Sequence, residues 1–416
     1  MTIKLSLTKC SFKRYYLSQK TGKKEPFECP EEIKNNSVCI FHDKDLIPEL
    51  EKVGSEKLKN EFNSRLANKI EESIKNNKEL LCIGFNLPEI SIKQKKFSKS
   101  VYFNEVNVYG ESIIEENVFQ EICFKNIKFY NGVKIIGNKF EGRIFDFTNF
   151  YFNGKYIHFF KNEFHGNQTD FTKAEFRAEE EIDFSNNIFS SSLTQFAHCK
   201  FYSSNTSILF SSSQFSGQVY FNNSEFNSKQ LVIFGAVKFT GDLVSFGGAK
   251  FFNRGVTFTR SEFLNEKASL GFLGMLLSCD EAVFSQMKVN GNISFFRSEF
   301  KIKKRLLFDD TRFNKTCDFT DTVFDCSDIS FTPTYFLDVS FKKAKFGTVN
   351  FNKTEFDIAD FTNSKFLNEA YFKDCKFKKY ALFIFFLCYS FSLIISSSTL
   401  LFLFFYRFIS LIILVI

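Results

Sequence analysis

The chain has 416 residues, among them 62 Phe, 14 Tyr and no Trp, and its formal net charge is +7. Residues 1–100 hold 20 basic and 14 acidic side chains, whereas residues 101–377 hold 31 and 33 and are close to neutral. This balance excludes both a basic stripe that binds nucleic acid and a densely acidic surface that imitates it.

The cysteine content points to a reducing environment. Eleven cysteines are an odd number, and the first residues, through Tyr16, contain no apolar stretch long enough for a secretion signal. We therefore expect free thiols in a cytosolic setting rather than a disulfide framework.

A small N-terminal segment, residues 1–43, contains Cys10, Cys29, Cys39 and His42. Cys39 and His42 form a C-x2-H pair, which is close enough to share one ion from a tight turn. Structural zinc takes four sulfur and nitrogen ligands, and a segment too small and polar to bury a core gains its folding free energy from the metal. We predict a closed Cys3His zinc site with no open position for catalysis, the alternative being four ordinary residues.

The period changes in residues 44–80, which are predicted to form amphipathic helices. Apolar residues recur there at steps of three to five among Lys and Glu: Leu46, Leu50, Val53, Leu58, Phe62, Leu66, Ile70 and Ile74. Gly54 is predicted to separate a short helix from a longer one. The apolar stripe favours a cap over the domain that follows, and a partner-binding helix is the alternative.

Phenylalanine then recurs every fifth residue in part of the chain. The strict run is Phe331, Phe336, Phe341, Phe346, Phe351, Phe356, Phe361 and Phe366. The residue two before each later Phe is small or β-branched, as Ala344 and Val349 illustrate. Neither a helix nor a flat strand keeps a five-residue period on one side, so the backbone must turn at each repeat.

The same signal continues upstream in a looser form, as pairs of Phe five residues apart. Examples are Phe147/Phe152, Phe159/Phe164, Phe171/Phe176, Phe184/Phe189 and Phe196/Phe201. The first members of the pairs step by about twelve residues, and tandem repetition at a fixed spacing is typical of a solenoid.

These repeats resemble those of the pentapeptide-repeat proteins, over roughly residues 97–377. The resemblance implies an all-β fold, a right-handed parallel β-helix of quadrilateral cross-section with four faces per coil. We assign residues 81–377 to this solenoid of roughly twelve coils, with Phe pointing inward and wider corners before Phe331.

One interruption of the Phe pattern has two interpretations. Residues Leu270–Leu277 are apolar and contain two glycines where Phe is expected. The stretch is either an exposed apolar loop for a partner or lipid, or a distorted coil in which Leu and Met replace Phe.

The C-terminal residues 378–416 are strongly apolar. From Ala381 to Tyr406 there is no charged residue, which is long enough for a transmembrane helix, and Lys376, Lys378 and Lys379 precede it. We expect a single-pass membrane protein with its N-terminal body in the cytoplasm. A re-entrant hairpin broken at Ser396–Thr399, or a truncated membrane domain, are the alternatives.

Together these features predict a non-catalytic, membrane-anchored scaffold that binds a protein partner. No catalytic motif, small-molecule site or nucleic-acid site is evident, and zinc is the one cofactor expected. A regulatory domain of a membrane channel or transporter is the alternative. Inhibition of topoisomerase by DNA mimicry, which the resemblance also raises, is disfavoured by the neutral repeats. An enzyme built on the repeats would require a concave polar site that the pattern does not offer.

Overall fold

The computed structural model describes residues 9–33, 38–51, 55–392, 400–406 and 409–415. The chain divides into two compact units, Met1–Ile182 and Asp183–Ile416. Each unit is built mainly of short parallel strands that wind into the coils of a β-solenoid.

The first unit begins with an antiparallel hairpin, β1 (Lys13–Leu17) and β2 (Lys24–Glu28), joined by a turn at Gly22. Two 3-10 turns, Ile40–His42 and Lys44–Leu46, lead into the helices α1 (Ile47–Glu51) and α2 (Glu56–Lys75). Two helices are therefore present in the segment where the apolar period predicted them, and Gly54 lies outside the described residues.

The coils of the first unit begin directly after α2. Their strands are Leu80–Ile83, Asn86–Leu87, Ser91–Lys93, Lys96–Phe97, Val101–Asn104, Asn107–Val108, Ser112–Glu115, Val118–Phe119, Ile122–Cys123, Lys128–Phe129, Val133–Ile136, Lys139–Phe140, Ile144–Asp146, Tyr151–Phe160, Glu163–Phe164 and Gln168–Asp170. Leu80 pairs with Val101 and Val101 with Ile122, so one coil takes 21 residues here. These first coils are filled by Leu, Ile, Val and Tyr as well as by Phe residues such as Phe85 and Phe103, so the five-residue Phe spacing is weaker here than further along the chain.

The strand Glu175–Asp183 contains the point where the two units divide, and the second unit continues with the same architecture. Its strands are Ile188–Phe189, Leu193–Gln195, Lys200–Ser203, Ile208–Leu209, Gln214–Phe215, Gln218–Tyr220, Glu225–Ile233, Lys238–Phe239, Leu243–Ser245, Lys250–Thr257, Glu262–Phe263, Ser269–Gly271, Leu276–Val283, Lys288–Val289, Asn292–Ser294, Glu299–Leu307, Thr311–Asp318, Val323–Cys326, Ile329–Ser330, Thr334–Ser340, Lys345–Phe346, Val349–Asn350, Glu355–Asp360, Lys365–Tyr371, Lys376–Ser392, Leu400–Tyr406 and Ile409–Val415.

Register explains the two Phe spacings. In the strict region Phe336 pairs with Phe356 and Phe346 with Phe366, so four five-residue repeats complete one coil of 20 residues. Upstream, Phe215 pairs with Phe239, and the coil takes 24 residues. The small residues two positions before each Phe are buried, as the repeat predicted.

Tight turns mark some of the corners in both kinds of coil. In one of them the N–H of Ala344 donates to the carbonyl of Phe341 at 3.0 Å, and Lys343 between them has a positive φ of 56°. Equivalent left-handed residues include His198, Asn223 and Asn363. The longer coils contain the same tight turns, and their additional residues lie between these turns. The prediction of wider corners before Phe331 therefore holds only for the corners that lack such a turn.

An Asp before the inward Phe fixes many of these turns. The carboxylate of Asp360 accepts a hydrogen bond from the backbone N–H of Thr362 at 2.9 Å, and Asp318 does the same for Thr320. This local bond satisfies a backbone donor at the corner, which accounts for the recurring Asp-Phe-Thr sequence.

The core of the second unit consists of Phe rings stacked in columns. One column contains Phe196, Phe221, Phe246, Phe272, Phe295, Phe319, Phe341, Phe361 and Phe383, with centroid separations of 4.7–5.1 Å. A second column, which contains Phe210, Phe234 and Phe258, meets the first edge to face. Both arrangements are favourable for aromatic rings, and all of these side chains are buried.

The Leu270–Leu277 interruption is a coil, not a protruding loop. Leu270 pairs with Val244 and Ile293, and Phe272 stacks between Phe246 and Phe295 at 5.0 and 4.9 Å. Leu277 pairs with Phe251 and Phe300, so leucine replaces Phe at that inward position, and in this stretch Leu273 is an exposed large apolar side chain.

The C-terminal helix prediction is wrong for the described residues. Lys376–Ser392, Leu400–Tyr406 and Ile409–Val415 are strands, and the first pairs in parallel with Glu355–Asp360 and Lys365–Tyr371. The physical reason is that Phe377 and Phe383 extend the stacked rings of the preceding coils at 5.0 and 4.7 Å. The proposed break at Ser396–Thr399 lies outside the described residues.

Across the described residues, none of the helices combines the length and apolarity needed to cross a membrane.

Truncation of one stacked ring tests the packing of the core. Phe210→Ala removes a fully buried ring that contacts Phe196, Phe221 and Phe234, and we expect it to destabilise the second unit by about 3–5 kcal/mol. Phe252→Ala is the matched control, because Phe252 lies at an outward position and is only partly buried, and it should cost less than about 1.5 kcal/mol. Denaturant midpoints measure both, and equal losses would contradict the packing described.

Candidate metal centre

Local folding brings the four predicted ligands together from three places in the first unit. The antiparallel pairing of β1 and β2 brings Cys10 and Cys29 close. The backbone N–H of Cys10 donates to the carbonyl of Glu31, and the backbone N–H of Cys29 donates to the carbonyl of Phe12. Cys39 and His42 lie on one 3-10 turn, closed by a bond from the N–H of His42 to the carbonyl of Cys39 at 3.0 Å.

The four ligand atoms form one compact buried cluster. The sulfur and nitrogen atoms of Cys10, Cys29, Cys39 and His42 all lie within 4.8 Å of one another. Their side chains are 6, 2, 1 and 6% exposed. The Sγ atoms of Cys29 and Cys39 are 3.7 Å apart, and Nδ1 of His42 lies 3.2 Å from Sγ of Cys39 and 3.6 Å from Sγ of Cys10.

These separations fit ligands of a single metal ion rather than a disulfide. An S–S bond is about 2.0 Å long, far shorter than the 3.7 Å observed between Cys29 and Cys39. Three sulfurs and one nitrogen at such spacing surround a point that all four atoms can reach. The cluster is thus compatible with a metal site in which four protein ligands leave no open coordination position.

Neighbouring backbone and aromatic groups fix the orientation of the clustered side chains. Nε2 of His42 lies 2.9 Å from the carbonyl of Ile83, so that its N–H donates there and Nδ1 is free to face the sulfurs. The ring of Phe12 stacks on His42 at 3.7 Å, and the backbone N–H of Cys39 donates to Sγ of Cys10 at 3.2 Å. The histidine is therefore held in one tautomer and one ring plane.

The surrounding contacts join the cluster to the first coil. The carbonyl of Ile83 belongs to the first solenoid strand, and Phe41, one residue before His42, stacks on Phe85 at 4.4 Å. Phe62 of α2 meets Phe41 edge to face at 5.7 Å. Phe62 of α2 and the Cys/His cluster therefore both lie against residues that contact the start of the first coil.

Proton affinities differ among the thiols. A hydrogen bond from Cys29 lowers the pKa of Cys39 to about 4 against the opposing effect of burial, and His42 adds to the lowering. The same shared hydrogen bond raises the pKa of Cys29, while burial raises that of Cys10. In the metal-free cluster these opposite pKa shifts favour Cys39 as the first of the three thiols to lose its proton.

A buried cation lies beside the thiols. Nζ of Lys69 on α2 pairs with Glu31 at 2.9 Å, and both side chains are largely buried. Burial lowers the pKa of Lys69, but the neighbouring Cys82 and Glu31 outweigh it and the pKa is raised. Lys69 therefore stays charged beside the sulfur cluster.

Sequence reasoning singled out the four residues that the structure brings into one buried cluster, but it missed the groups that contact them. Phe12, Lys69, Glu31 and the carbonyl of Ile83 lie far apart in the sequence, and their proximity depends on the hairpin β1–β2. Gly22, which has a positive φ of 66° in the Lys20–Lys24 turn, was the available signal for that hairpin.

Comparison of the chain with family models, with curated proteins and with solved structures gave no match. The regular Phe spacing in a parallel β-solenoid nevertheless fits a pentapeptide-repeat type of protein.

The assigned thiolate gives a direct pH prediction for the metal-free protein. Because the pKa of Cys39 is lowered to about 4 from 9.0, thiolate absorbance should be present at neutral pH and disappear as the pH falls through about 4. Its contribution to stability is largest above pH 9, diminishes as the pH falls and is lost through about pH 4. Cys39→Ser should abolish this ultraviolet titration and Cys82→Ser should retain it, and a wild type without it would contradict the assignment.

Proposed function

We propose that Cys10, Cys29, Cys39 and His42 bind a structural zinc ion that fastens the N-terminal segment to the first coil. Tetrahedral zinc with Zn–S of about 2.3 Å and Zn–N of about 2.0 Å has S···S and S···N edges of about 3.8 and 3.5 Å. The separations of 3.7, 3.6 and 3.2 Å support this choice. When bound, zinc supplies folding free energy, and the thiol and imidazole groups hold it without an open position for substrate.

We further propose that the protein is a non-catalytic scaffold of the pentapeptide-repeat type. One observation carries this proposal. In each coil Phe side chains face inward, whereas charged side chains face outward and form ion pairs between neighbouring coils. Lys238 and Glu262 are 4.0 Å apart, as one example, and Arg305 and Glu281 are 2.7 Å apart. Such regular outer faces suit the binding of another protein.

Attachment to a membrane completes the proposal. The support is chemical: no charge interrupts Ala381–Tyr406, and Lys376, Lys378 and Lys379 precede this segment. Ala381 and Phe383 are buried in the core of the second unit, so we propose that the apolar residues after Phe383 hold the protein at a bilayer with the solenoid units on the cytoplasmic side.

Metal analysis of the full chain tests the zinc proposal. We expect one zinc per chain, lost in Cys39→Ser and retained in Cys199→Ser, whose thiol is buried in the second unit far along the sequence. Chelation should also lower the thermal midpoint, because the metal-bound state is the stable one, and added zinc should restore it. Absence of zinc from the wild type, or equal zinc in both variants, would refute the site.

Flotation with uncharged lipid vesicles tests membrane attachment. The full chain should float with them even at high salt, since burial of apolar side chains is not screened. Leu403→Arg should reduce flotation, because an arginine in the hydrocarbon region costs about 2.5–3.5 kcal/mol. Leu273→Arg, at an exposed position outside the apolar segment, is the control, and equal effects of the two changes would count against the proposal.

Chemical crosslinking in membranes tests the scaffold proposal. We expect one protein partner at fixed stoichiometry, with crosslinks confined to outward positions of the coils. Charge reversal at an exposed outward residue such as Lys200 should weaken crosslinking if that residue contacts the partner. In a series of such reversals, the positions that weaken crosslinking should form one continuous face. Turnover of a small molecule by the purified chain, abolished by one such outward change, would refute a non-catalytic role.

A further inference from the structure

Opposite charges are neighbours in the first part of one outward row of the second unit, which then continues through Leu276, Glu299 and Val323 to Lys345 and Lys365. Because neighbouring strands pair in register, Lys200 lies beside Glu225 and Glu225 beside Lys250. Opposite charges at adjacent positions stabilise a sheet, and like charges destabilise it. Alternation of this kind is what stability alone favours.

Like charges become direct neighbours in the last coils of this row, as Lys288 and Arg312 are in another outward row. Lys345 and Lys365 are direct neighbours in register, on strands about 4.8 Å apart, and both side chains are exposed. Neither forms an ion pair in the described part of the chain, whereas nearby Lys342 pairs with Asp360 at 3.0 Å. Lys343, exposed at the preceding turn, adds a third charge to what we call the basic patch. The repulsion within the patch is a cost to folding.

An exposed apolar side chain lies close to these lysines in the sequence. Leu367, two residues after Lys365 in the same strand, is 52% exposed, which makes it the most exposed leucine of the described side chains. The next strand pairs Lys365 with Leu387, inside the segment that has no charged residue. The row of lysines therefore ends where the apolar segment begins.

We propose that the basic patch, Lys343, Lys345 and Lys365 together with Leu367, docks on the anionic surface of a lipid bilayer. Ammonium groups attract acidic headgroups, and an exposed leucine beside them enters the interfacial region. A nucleic acid or an acidic protein accounts for the charge but leaves the adjoining apolar residues unexplained. The proposal rests on the membrane attachment proposed above and adds a preference for acidic lipid.

Vesicle flotation of the full chain tests this preference. Phosphatidylcholine vesicles with and without phosphatidylserine are compared for the wild type, for K345Q/K365Q and for K303Q/K304Q. The last is the matched control, because it removes the same charge from lysines whose side chains are 80 and 67% exposed, at a position where Asp280 neutralises them.

We expect the wild type to bind the anionic vesicles more tightly and to lose this advantage as salt is added. K345Q/K365Q should lose about fivefold in anionic-vesicle affinity for each lysine, while K303Q/K304Q binds like the wild type. The thermal midpoint of K345Q/K365Q should be unchanged or higher, because like-charge repulsion is relieved, so misfolding cannot account for the loss.

The outcomes separate the two proposals. Equal binding of the wild type to neutral and anionic vesicles overturns the basic patch and leaves membrane attachment standing. Failure to float with either kind of vesicle overturns both. Equal loss in the two double variants, or tighter binding of the patch to single-stranded DNA than to anionic vesicles, also overturns the assignment.

Discussion

In-register parallel stacking is the constraint on which the rest of this protein depends. Each coil lies about 4.8 Å from the next, so a residue type that occupies one inward position meets its equivalents above and below. Phenylalanine tolerates this arrangement well, since the rings of Phe221 and Phe246 stack at 4.7 Å while Phe234 meets both edge to face. The same constraint acts on the outward positions, where opposite charges on neighbouring coils attract each other and like charges repel.

Stacking also leaves an open end, and the N-terminal segment is built to cover one. The first solenoid strand, Leu80–Ile83, has no preceding coil, and its exposed edge and apolar face must be covered. Phe41, Phe62 and the Cys/His cluster lie against the start of these coils. Because the two 3-10 turns have only three residues each, a metal ion bound at the cluster would supply folding free energy that these turns lack.

Much of this organisation was predictable from sequence where the repeat is chemically uniform. The Phe period predicted four repeats per coil, and the C-x2-H pair led to the four residues that form one buried cluster. The hairpin β1–β2 was not predicted, because its strands are short and Gly22 alone does not specify their pairing. The C-terminal helix prediction was wrong in the described residues because length and apolarity cannot distinguish a helix from strands that extend a ring stack.

X-ray absorption at the zinc edge of the purified full chain tests the central claim, a metal-fastened cap, most directly. The account predicts one four-coordinate zinc with three sulfur ligands at about 2.3 Å and one nitrogen ligand at about 2.0 Å. A spectrum dominated by oxygen and nitrogen ligands, or a protein that keeps its cap without any bound metal, would contradict it.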